Sequence, residues 1–183
     1  MEHSGITILI VDDHPVVRDG LAAILGTQPD FAVRGEAATG EEALALFEQL
    51  RPDVVLLDLE MPGMDGVAVL RRLREQHPAA RVVVFTAFDT DERILGALQA
   101  GAKGYLLKGA PRTELFNAVR VVHGGGSLLQ PVVASRLMEH LAEQRADRPV
   151  ATLPGTEVEE WTPRARVVPG LLARGKPNKE QAA

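Results

Sequence analysis

The sequence predicts a doubly wound α/β fold in which a five-stranded parallel sheet carries helices on both faces. Five short apolar runs alternate with segments whose apolar residues recur at helical spacing. The runs are continuous, as expected of strands that are buried on both faces. Because right-handed crossovers lay each helix against the sheet, the alternation predicts one α/β unit over residues 5 to 127.

The predicted elements follow one another in pairs of strand and helix. The first strand is ITILIV at residues 6 to 11, and apolar spacing from Val16 to Leu25 predicts its helix. The later pairs are FAVRGEA with EEALALFEQL, DVVLLDL with GVAVLRRLREQ, RVVVFTA with DERILGALQA, and GYLLK with RTELFNAVRVV. Residues 128 to 160 are predicted to form a further helix, PVVASRLMEHLAEQ, and a linker rich in proline, glycine and charge.

Composition excludes several classes of protein. A chain of 183 residues suffices for one ordinary domain and a smaller segment. It contains no cysteine, which excludes a disulfide framework, a thiol nucleophile and cysteine-ligated metals, and fits a reducing compartment. No stretch approaches the ~18 uninterrupted apolar residues of a membrane span. We therefore expect a cytoplasmic protein without membrane contact.

The formal charge of −5 is unevenly distributed. Residues 161 to 183 carry five bases and one acid, so this tail has a charge of +4 and residues 1 to 160 have a charge of −9. A body of that charge repels a nucleic-acid backbone. Any contact with DNA is therefore expected to involve the tail.

Polar residues end four of the five predicted strands. Asp12 and Asp13 follow the first strand and Asp58 the third, while Thr86 ends the fourth and Lys108 the fifth. Ligands of open parallel sheets bind outside the carboxyl ends of the strands, so we expect these residues to share one crevice. Three neighbouring carboxylates need a cation, and hard oxygen ligands suit Mg²⁺. The sequence predicts a magnesium site at which a carboxylate attacks a phosphoryl group, while the lysine and the hydroxyl contact its oxygens.

Each of these residues, taken alone, also has a purely structural explanation. Asp12 and Asp13 could cap the following helix, and Asp58 could open a turn rich in proline and glycine. Thr86 could bond to nearby backbone, and Lys108 could be a solvated charge. Only the occurrence of all five residues at the ends of the strands points specifically to a functional site.

The motifs VDDHPVVRDGLAAIL, DVVLLDLEMPGMDG, FTA and GAKGYLLK resemble the receiver domains of bacterial two-component response regulators. They occur in the family's order and spacing from Ile6 to about Ser127. The resemblance implies a flavodoxin-like fold and a phosphoryl group transferred from a histidine kinase to Asp58. It also implies that the protein is not an enzyme, because a receiver catalyses only its own phosphorylation and dephosphorylation.

The resemblance further implies a role for individual residues around Asp58. Asp12, Asp13 and Asp58 would hold Mg²⁺ together with the backbone carbonyl of Glu60. Thr86 and Lys108 would be the phosphate-sensing pair.

Two further residues complete the comparison with receivers. Tyr105 stands where they carry an aromatic residue that turns inward when Thr86 closes on the phosphate, which would shift the surface of residues 91 to 122. Receivers commonly form homodimers through such faces. Gly109 departs from the family, since many receivers have proline there, and leaves the isomer of the preceding peptide bond open.

The segments VDDHPVVRDGL, GAKGYLLKG and HGGGSLLQPVVASRLM resemble, more specifically, the subfamily with a C-terminal LuxR-type helix-turn-helix. Residues 161 to 183 resemble the opening of that DNA-binding domain. Pro169, however, falls inside its first helix, where proline costs about 3 kcal/mol, and the sequence stops before the helix that reads the groove. We expect a truncated remnant, with DNA as a partner only if the helix-turn-helix is complete elsewhere.

Three other functions are alternatives to the receiver switch. The first is a phosphorylation-controlled DNA-binding transcriptional regulator, which requires an intact helix-turn-helix. The second is a phosphatase of the haloacid-dehalogenase type, which the acids Asp58 and Glu60 superficially allow, although the continuation MPG and the lack of a cap-sized insertion do not fit. The third, nucleotide binding, has no glycine-rich phosphate motif after the first strand.

Overall fold

The computed structural model describes residues 5–87 and 90–146. Its elements, in chain order, are β1 (Ile6–Val11), α1 (Pro15–Leu25), β2 (Phe31–Ala37), α2 (Gly40–Leu50), β3 (Val54–Leu57), α3 (Gly66–Gln76), β4 (Val82–Thr86), α4 (Asp91–Ala100), β5 (Gly104–Leu107), α5 (Arg112–His123), β6 (Leu128–Leu129) and α6 (Pro131–Ala146). The predicted linker beyond α6 and the predicted helix-turn-helix remnant lie outside the described residues. None of the helices described is long and apolar enough to cross a membrane.

The prediction of a doubly wound parallel sheet is confirmed, with one more strand than the five expected. Within the described part of the chain, the strand order is β2-β1-β3-β4-β5-β6 and every pair is parallel. The additional strand, β6, has two residues, which pair with Gly104 and Tyr105 of β5. So short a strand has no sequence pattern of its own. It forms because the chain after α5 returns along the open edge of β5, where the Leu128 amide donates to the Lys103 carbonyl at 3.0 Å.

The strands are buried on both faces, which explains their continuous apolar sequences. In β1, Leu9 and Val11 belong to the buried cluster that also contains residues of α2, α3, α4 and α6, whereas Ile8 and Ile10 belong to the cluster on the opposite face, with residues of α1 and α5. This alternation follows from the two-residue period of a strand. Helices thus cover both faces of the sheet, and its two ends remain accessible to a ligand.

Helix α6 packs against α4. Val133 of α6 is fully buried in the same cluster as Ile94 of α4. At the start of α4, the Asp91 carboxylate lies 3.9 Å from the Arg136 guanidinium and 4.0 Å from the His140 ring, both on α6. The last described helix therefore covers part of the surface that the sequence assigns to switching.

Helix α3 begins directly against the backbone of the loop after β3. The Asp65 carboxylate caps the helix by accepting from the Ala68 amide at 2.8 Å. Gly66 follows, and a Cβ atom there would overlap the carbonyl oxygen of Asp58 and the Cα atom of Leu59. Only glycine allows this close approach, which holds the residues after β3 at the edge of the sheet.

A side-chain bridge joins β1 to the start of β3 at the amino end of the sheet. The Asp53 carboxylate accepts from the Thr7 amide at 2.8 Å and from the Thr7 hydroxyl at 2.6 Å. Burial by itself raises the pKa of Asp53, but the two hydrogen bonds from Thr7, together with the charges of His123 and Arg81, outweigh it and hold the pKa below its usual value. The charged form of Asp53 therefore stabilises the folded chain.

Replacement of Asp53 with asparagine is expected to lower the free energy of unfolding by about 1 kcal/mol at neutral pH. Because the folded pKa is depressed, the stabilisation is present above the unfolded pKa and is lost as pH falls through the folded value. Urea denaturation of both proteins over a series of pH values measures the difference, which should vanish in acid. Asp19→Asn, at an exposed position on α1, is the matched control. A difference that does not change with pH would contradict the prediction.

Candidate functional site

The carboxyl ends of the central strands meet at a cleft of about 570 Å³. The charged and imidazole side chains that line the cleft are those of Asp13, His14, Asp58, Glu60, Arg93 and Lys108, together with Asp65 at the start of α3. A cavity of about 610 Å³ at the opposite end of β4 has no carboxylate in its lining. Of the acids that end the strands, Asp13 and Asp58 thus line the first cleft.

Asp12 and Asp58 are buried side by side and share one lysine. Their carboxylates are 2 % and 4 % exposed, and each Oδ2 atom lies 2.6 Å from Lys108 Nζ. Burial by itself lowers the pKa of Lys108, but the hydrogen bonds and charges of the two carboxylates outweigh it and raise the pKa above its usual value. The ammonium group is therefore held in its charged form between two strands. The alternative of a solvated lysine is wrong.

Asp13 completes an acidic group with the two buried carboxylates. The alternative that these acids cap α1 is wrong, because the N-cap residue of α1 is His14. Asp12 Oδ1 instead accepts from the His14 amide at 2.9 Å. The His14 ring lies against Asp13, and its Nδ1 atom is 2.7 Å from Asp13 Oδ1. One ligand atom from each of Asp12, Asp13, His14 and Asp58 lies within 4.8 Å of the others.

This set of donors fits a small divalent cation. Three carboxylates against one ammonium group leave an excess of two negative charges in a partly buried cleft. Carboxylate oxygens are the ligands that Mg²⁺ prefers. The Glu60 amide lies 3.4 Å from Asp58 Oδ1, which places the Glu60 backbone beside the acids, while its side chain lies 3.6 Å from Arg93. The Glu60 carbonyl as a ligand remains a prediction.

Thr86 ends β4 beside Lys108. The residue is fully buried, and among the described residues its hydroxyl has no hydrogen-bond partner. The backbone amide of Lys108 donates to the Thr86 carbonyl at 2.6 Å, which sets the two residues next to each other. The alternative that the hydroxyl bonds to nearby backbone is therefore wrong. A buried hydroxyl without a partner is costly, and such exceptions are typical of functional positions.

Tyr105 and Gly109 flank Lys108 along the chain. Tyr105 lies in the middle of β5, fully buried in the cluster that includes Val133 of α6. Its inward turn on phosphorylation remains a prediction. Gly109 has φ of +108°, which proline cannot adopt. The turn after the lysine therefore differs from that of receivers with proline at this position.

The sequence interpretation missed His14 and Gln130. The motif Asp-Asp-His-Pro carries a nitrogen donor beside two acids, which was the available signal for His14. Gln130 follows β6, and its side chain accepts from the Leu107 amide at 3.0 Å and donates to Glu114 at 3.0 Å. These are contacts between distant parts of the chain, for which the sequence holds no local signal.

Comparison with known proteins gives consistent results. The family described as response regulator receiver domain matches residues 8–120. The chain is 40 % identical over 177 residues to the nitrate/nitrite response regulator protein NarL of Escherichia coli (strain K12), covering 94 % of this chain and 77 % of NarL. It is 38 % identical over 179 residues to the DNA-binding transcriptional activator DevR/DosR of Mycobacterium tuberculosis, covering 97 % and 78 %.

Solved structures agree with these sequence matches. The crystal structure of a LuxR-family two-component response regulator from Aurantimonas sp. SI85-9A1 is similar with a TM-score of 0.72 and 35 % identity. The similarity covers 76 % of this chain and 99 % of that one. The flavodoxin-like receiver arrangement expected from the motifs is therefore confirmed.

Proposed function

This chain belongs to the response regulator receiver domain family, within the group of NarL- and LuxR-type two-component regulators, and on that basis we propose that Asp58 accepts a phosphoryl group from a histidine kinase. The observation that carries the proposal is the group formed by Asp58, Asp12 and Lys108, with the unpartnered hydroxyl of Thr86 beside it. Residues 5 to 127 would form the phosphoacceptor unit, and residues 128 to 160 a helix and linker.

The proposed reaction is an in-line transfer between two side chains. A carboxylate oxygen of Asp58 attacks the phosphorus of a phosphohistidine, forming the new O–P bond as the P–N bond breaks. The leaving imidazole nitrogen keeps the electron pair and takes a proton. Mg²⁺ held by Asp12, Asp13 and Asp58, with the Glu60 carbonyl, would supply the positive charge that lets two anionic groups approach each other.

Lys108 would contribute a second positive charge at the reacting carboxylate. Its Nζ atom donates a hydrogen bond to Asp58 Oδ2 at 2.6 Å and forms an ion pair with Asp12 Oδ2 at 2.6 Å. The ammonium group has three donors, so it can contact a phosphoryl oxygen while it stays paired with one of the carboxylates. The Thr86 hydroxyl would donate to another phosphoryl oxygen and so gain the partner that it lacks among the described residues.

Hydrolysis would return the domain to its starting state. Water attacks the phosphorus, the O–P bond to Asp58 breaks, and inorganic phosphate leaves as the carboxylate is restored. The domain would thus act on itself, as a signalling protein, rather than turn over a separate substrate. We propose a cytoplasmic location, which a chain without cysteine fits.

The experiment that tests the proposal is phosphorylation of the full chain with acetyl phosphate, followed by intact mass spectrometry. We expect addition of one phosphoryl group only when Mg²⁺ is present, and release of that group by base or hydroxylamine but not by acid. This lability distinguishes an acyl phosphate from a phosphate ester. The proposal fails if the chain takes up no phosphoryl group, or if the group survives hydroxylamine.

The phosphoryl group would act on a switch surface formed by α4, β5 and α5. Thr86 and Lys108 would contact it in only one of two states, which shifts the equilibrium between them. Gln130 joins this surface to the start of α6, because its side chain bonds to the Leu107 amide of β5 and to Glu114 of α5. A change in the switch surface would therefore reach α6, which also packs on α4.

Replacement of Thr86 with valine is expected to separate phosphorylation from switching. The substitution keeps the shape of the side chain and removes a buried hydroxyl that lacks a partner, so the free energy of unfolding should stay equal or rise by up to about 1 kcal/mol. Phosphoryl uptake should persist, whereas the change in amide hydrogen exchange over residues 91 to 122 and in α6 should shrink. Thr86→Ser keeps the hydroxyl and is the control. An undiminished exchange response in Thr86→Val would contradict this coupling.

A second candidate function is control of transcription by phosphorylation, with DNA and a second copy of the chain as partners. The relatives favour it, since DevR/DosR is named a DNA-binding transcriptional activator. The basic segment 161 to 183 would make the contact in that case. A salt-dependent, sequence-selective shift of promoter DNA by the full chain would support this function. Binding that is equal for all sequences would count against it.

A further inference from the structure

His14 stands among the carboxylates of the acidic site and points a nitrogen atom at them. Its Nδ1 atom lies 2.7 Å from Asp13 Oδ1 and 3.4 Å from Asp12 Oδ1. The backbone amide of His14 donates to Asp12 Oδ1 at 2.9 Å, which fixes the residue beside the site. The ring is therefore close to both acids that follow β1, although two thirds of the side chain is exposed.

These distances match those between neighbouring ligands of one metal ion. An octahedral ion with bonds of about 2.1 Å separates adjacent ligand atoms by about 3 Å. The two distances from Nδ1 lie on either side of that value. The nitrogen thus occupies the place of a ligand adjacent to both Asp12 and Asp13, and the Asp58 carboxylate is within 4.8 Å as well.

We propose that His14 Nδ1 is a direct ligand of the divalent ion in this site, and that the site therefore favours borderline first-row ions such as Co²⁺ relative to a site with oxygen ligands alone. The inference rests on the proposed function, since Asp12, Asp13 and Asp58 supply the remaining ligands. Imidazole nitrogen suits transition ions, whereas carboxylate and carbonyl oxygens suit Mg²⁺. The neutral ring adds no charge, so a 2+ ion still balances the excess of two negative charges.

A different role for His14 makes a different prediction. If the His14 ring only held Asp13 by a hydrogen bond, it would position an oxygen ligand of the ion. Loss of the ring would then lower the affinity of the site for every divalent ion to a similar degree. A direct nitrogen ligand affects transition ions selectively. The comparison of Co²⁺ with Mg²⁺ therefore separates a ligand from a positioning residue.

The test is a titration of the full chain with CoCl₂ and with MgCl₂, for the native protein and for His14→Phe. The variant is expected to fold, because the His14 side chain is exposed and makes no capping bond to α1, while its backbone amide stays in place. We expect Co²⁺ affinity to fall at least about tenfold, since loss of outer-shell partners alone costs that much. Mg²⁺ affinity should change by less than about twofold. His123→Phe, at the opposite end of the sheet, should match the native protein.

Proton NMR of the Co²⁺ complex gives a direct readout. A histidine that binds Co²⁺ through Nδ1 carries its exchangeable proton on Nε2, and that proton should be shifted far outside the ordinary range in the native protein and in His123→Phe. The signal should be missing in His14→Phe. Its absence from the native complex overturns the proposal, and so does an equal loss of affinity for both ions or no loss at all.

Asp58→Asn separates failure of this inference from failure of the proposed function. Suppose that His14→Phe binds Co²⁺ with the native affinity while Asp58→Asn no longer binds Co²⁺ or Mg²⁺. His14 is then not a ligand, and the metal site formed by the acids is supported. If the native chain binds neither ion, the inference and the magnesium dependence of the proposed function fail together.

Discussion

Replacement of Asp58 with asparagine is expected to abolish phosphorylation of the chain by acetyl phosphate or by a phosphorylated histidine kinase. The amide has nearly the shape of the carboxylate but is not a nucleophile toward phosphorus. Loss of a catalytic nucleophile costs enzymes several orders of magnitude in rate, and we expect a loss of at least about a thousandfold in the rate of phosphorylation here. Intact mass spectrometry in Mg²⁺ over a time course measures the effect.

Asp65→Asn is the matched control for this experiment. Asp65 lies on the rim of the same cleft, seven residues along the chain, and caps α3. Asparagine caps helices as well as aspartate does, so the control should fold and accept the phosphoryl group normally. If Asp58→Asn still took up one phosphoryl group at the native rate, the acceptor would be another residue and the assignment would be wrong.

Replacement of Lys108 with methionine is expected to destabilise the chain when no divalent ion is present. Lys108 is the cation that Asp12 and Asp58 share, and both carboxylates are almost fully buried. Removing one partner of a fully buried ion pair costs about 3–5 kcal/mol. The lysine is partly exposed and the cleft is open to solvent, so we expect a loss of about 1–3 kcal/mol in the free energy of unfolding.

Mg²⁺ should reverse most of this loss, because a divalent ion would balance the same carboxylates. Urea denaturation with and without millimolar MgCl₂ measures both effects. The raised pKa of Lys108 means that its contribution is fully present below the ordinary lysine pKa and is lost only as pH rises through the higher folded value. The difference between native chain and variant should therefore be constant across the neutral range.

Lys103→Met is the matched control for the second prediction. Lys103 immediately precedes β5, at the end of the strand opposite to Lys108, and is exposed. Its replacement should leave the free energy of unfolding nearly unchanged, with or without Mg²⁺. A Lys108→Met protein that is more stable than the native chain without Mg²⁺ would show that the carboxylates do not depend on this lysine.

Much of the fold and the location of the site follows from local patterns. Continuous apolar runs such as ITILIV predict buried strands, and the spacing of apolar residues between them predicts the helices. Parallel strands bring their carboxyl ends to one edge, so the sequence alone placed Asp58, Thr86 and Lys108 in one crevice. These inferences hold because periodicity and strand order constrain every residue of an element at once.

The remaining features depend on contacts between distant residues. The carboxylate of Asp58 meets Lys108 fifty residues further along the chain, and Gln130 meets a backbone amide twenty-three residues away. Local sequence patterns do not determine which of several polar atoms finds a partner. A bond from the Thr86 hydroxyl to backbone was therefore one alternative, whereas this hydroxyl has no hydrogen-bond partner among the described residues.

The sequence by itself determined the class of fold, the order of its elements and the residues that end its strands. Only the tertiary structure decided that Lys108 is shared by two buried acids, that the His14 ring turns toward them, and that α6 covers α4. The reason is physical. Local chain geometry is set by neighbours within a few residues, whereas the pairing of charges and the covering of a surface are set by whichever distant groups the completed fold brings within reach.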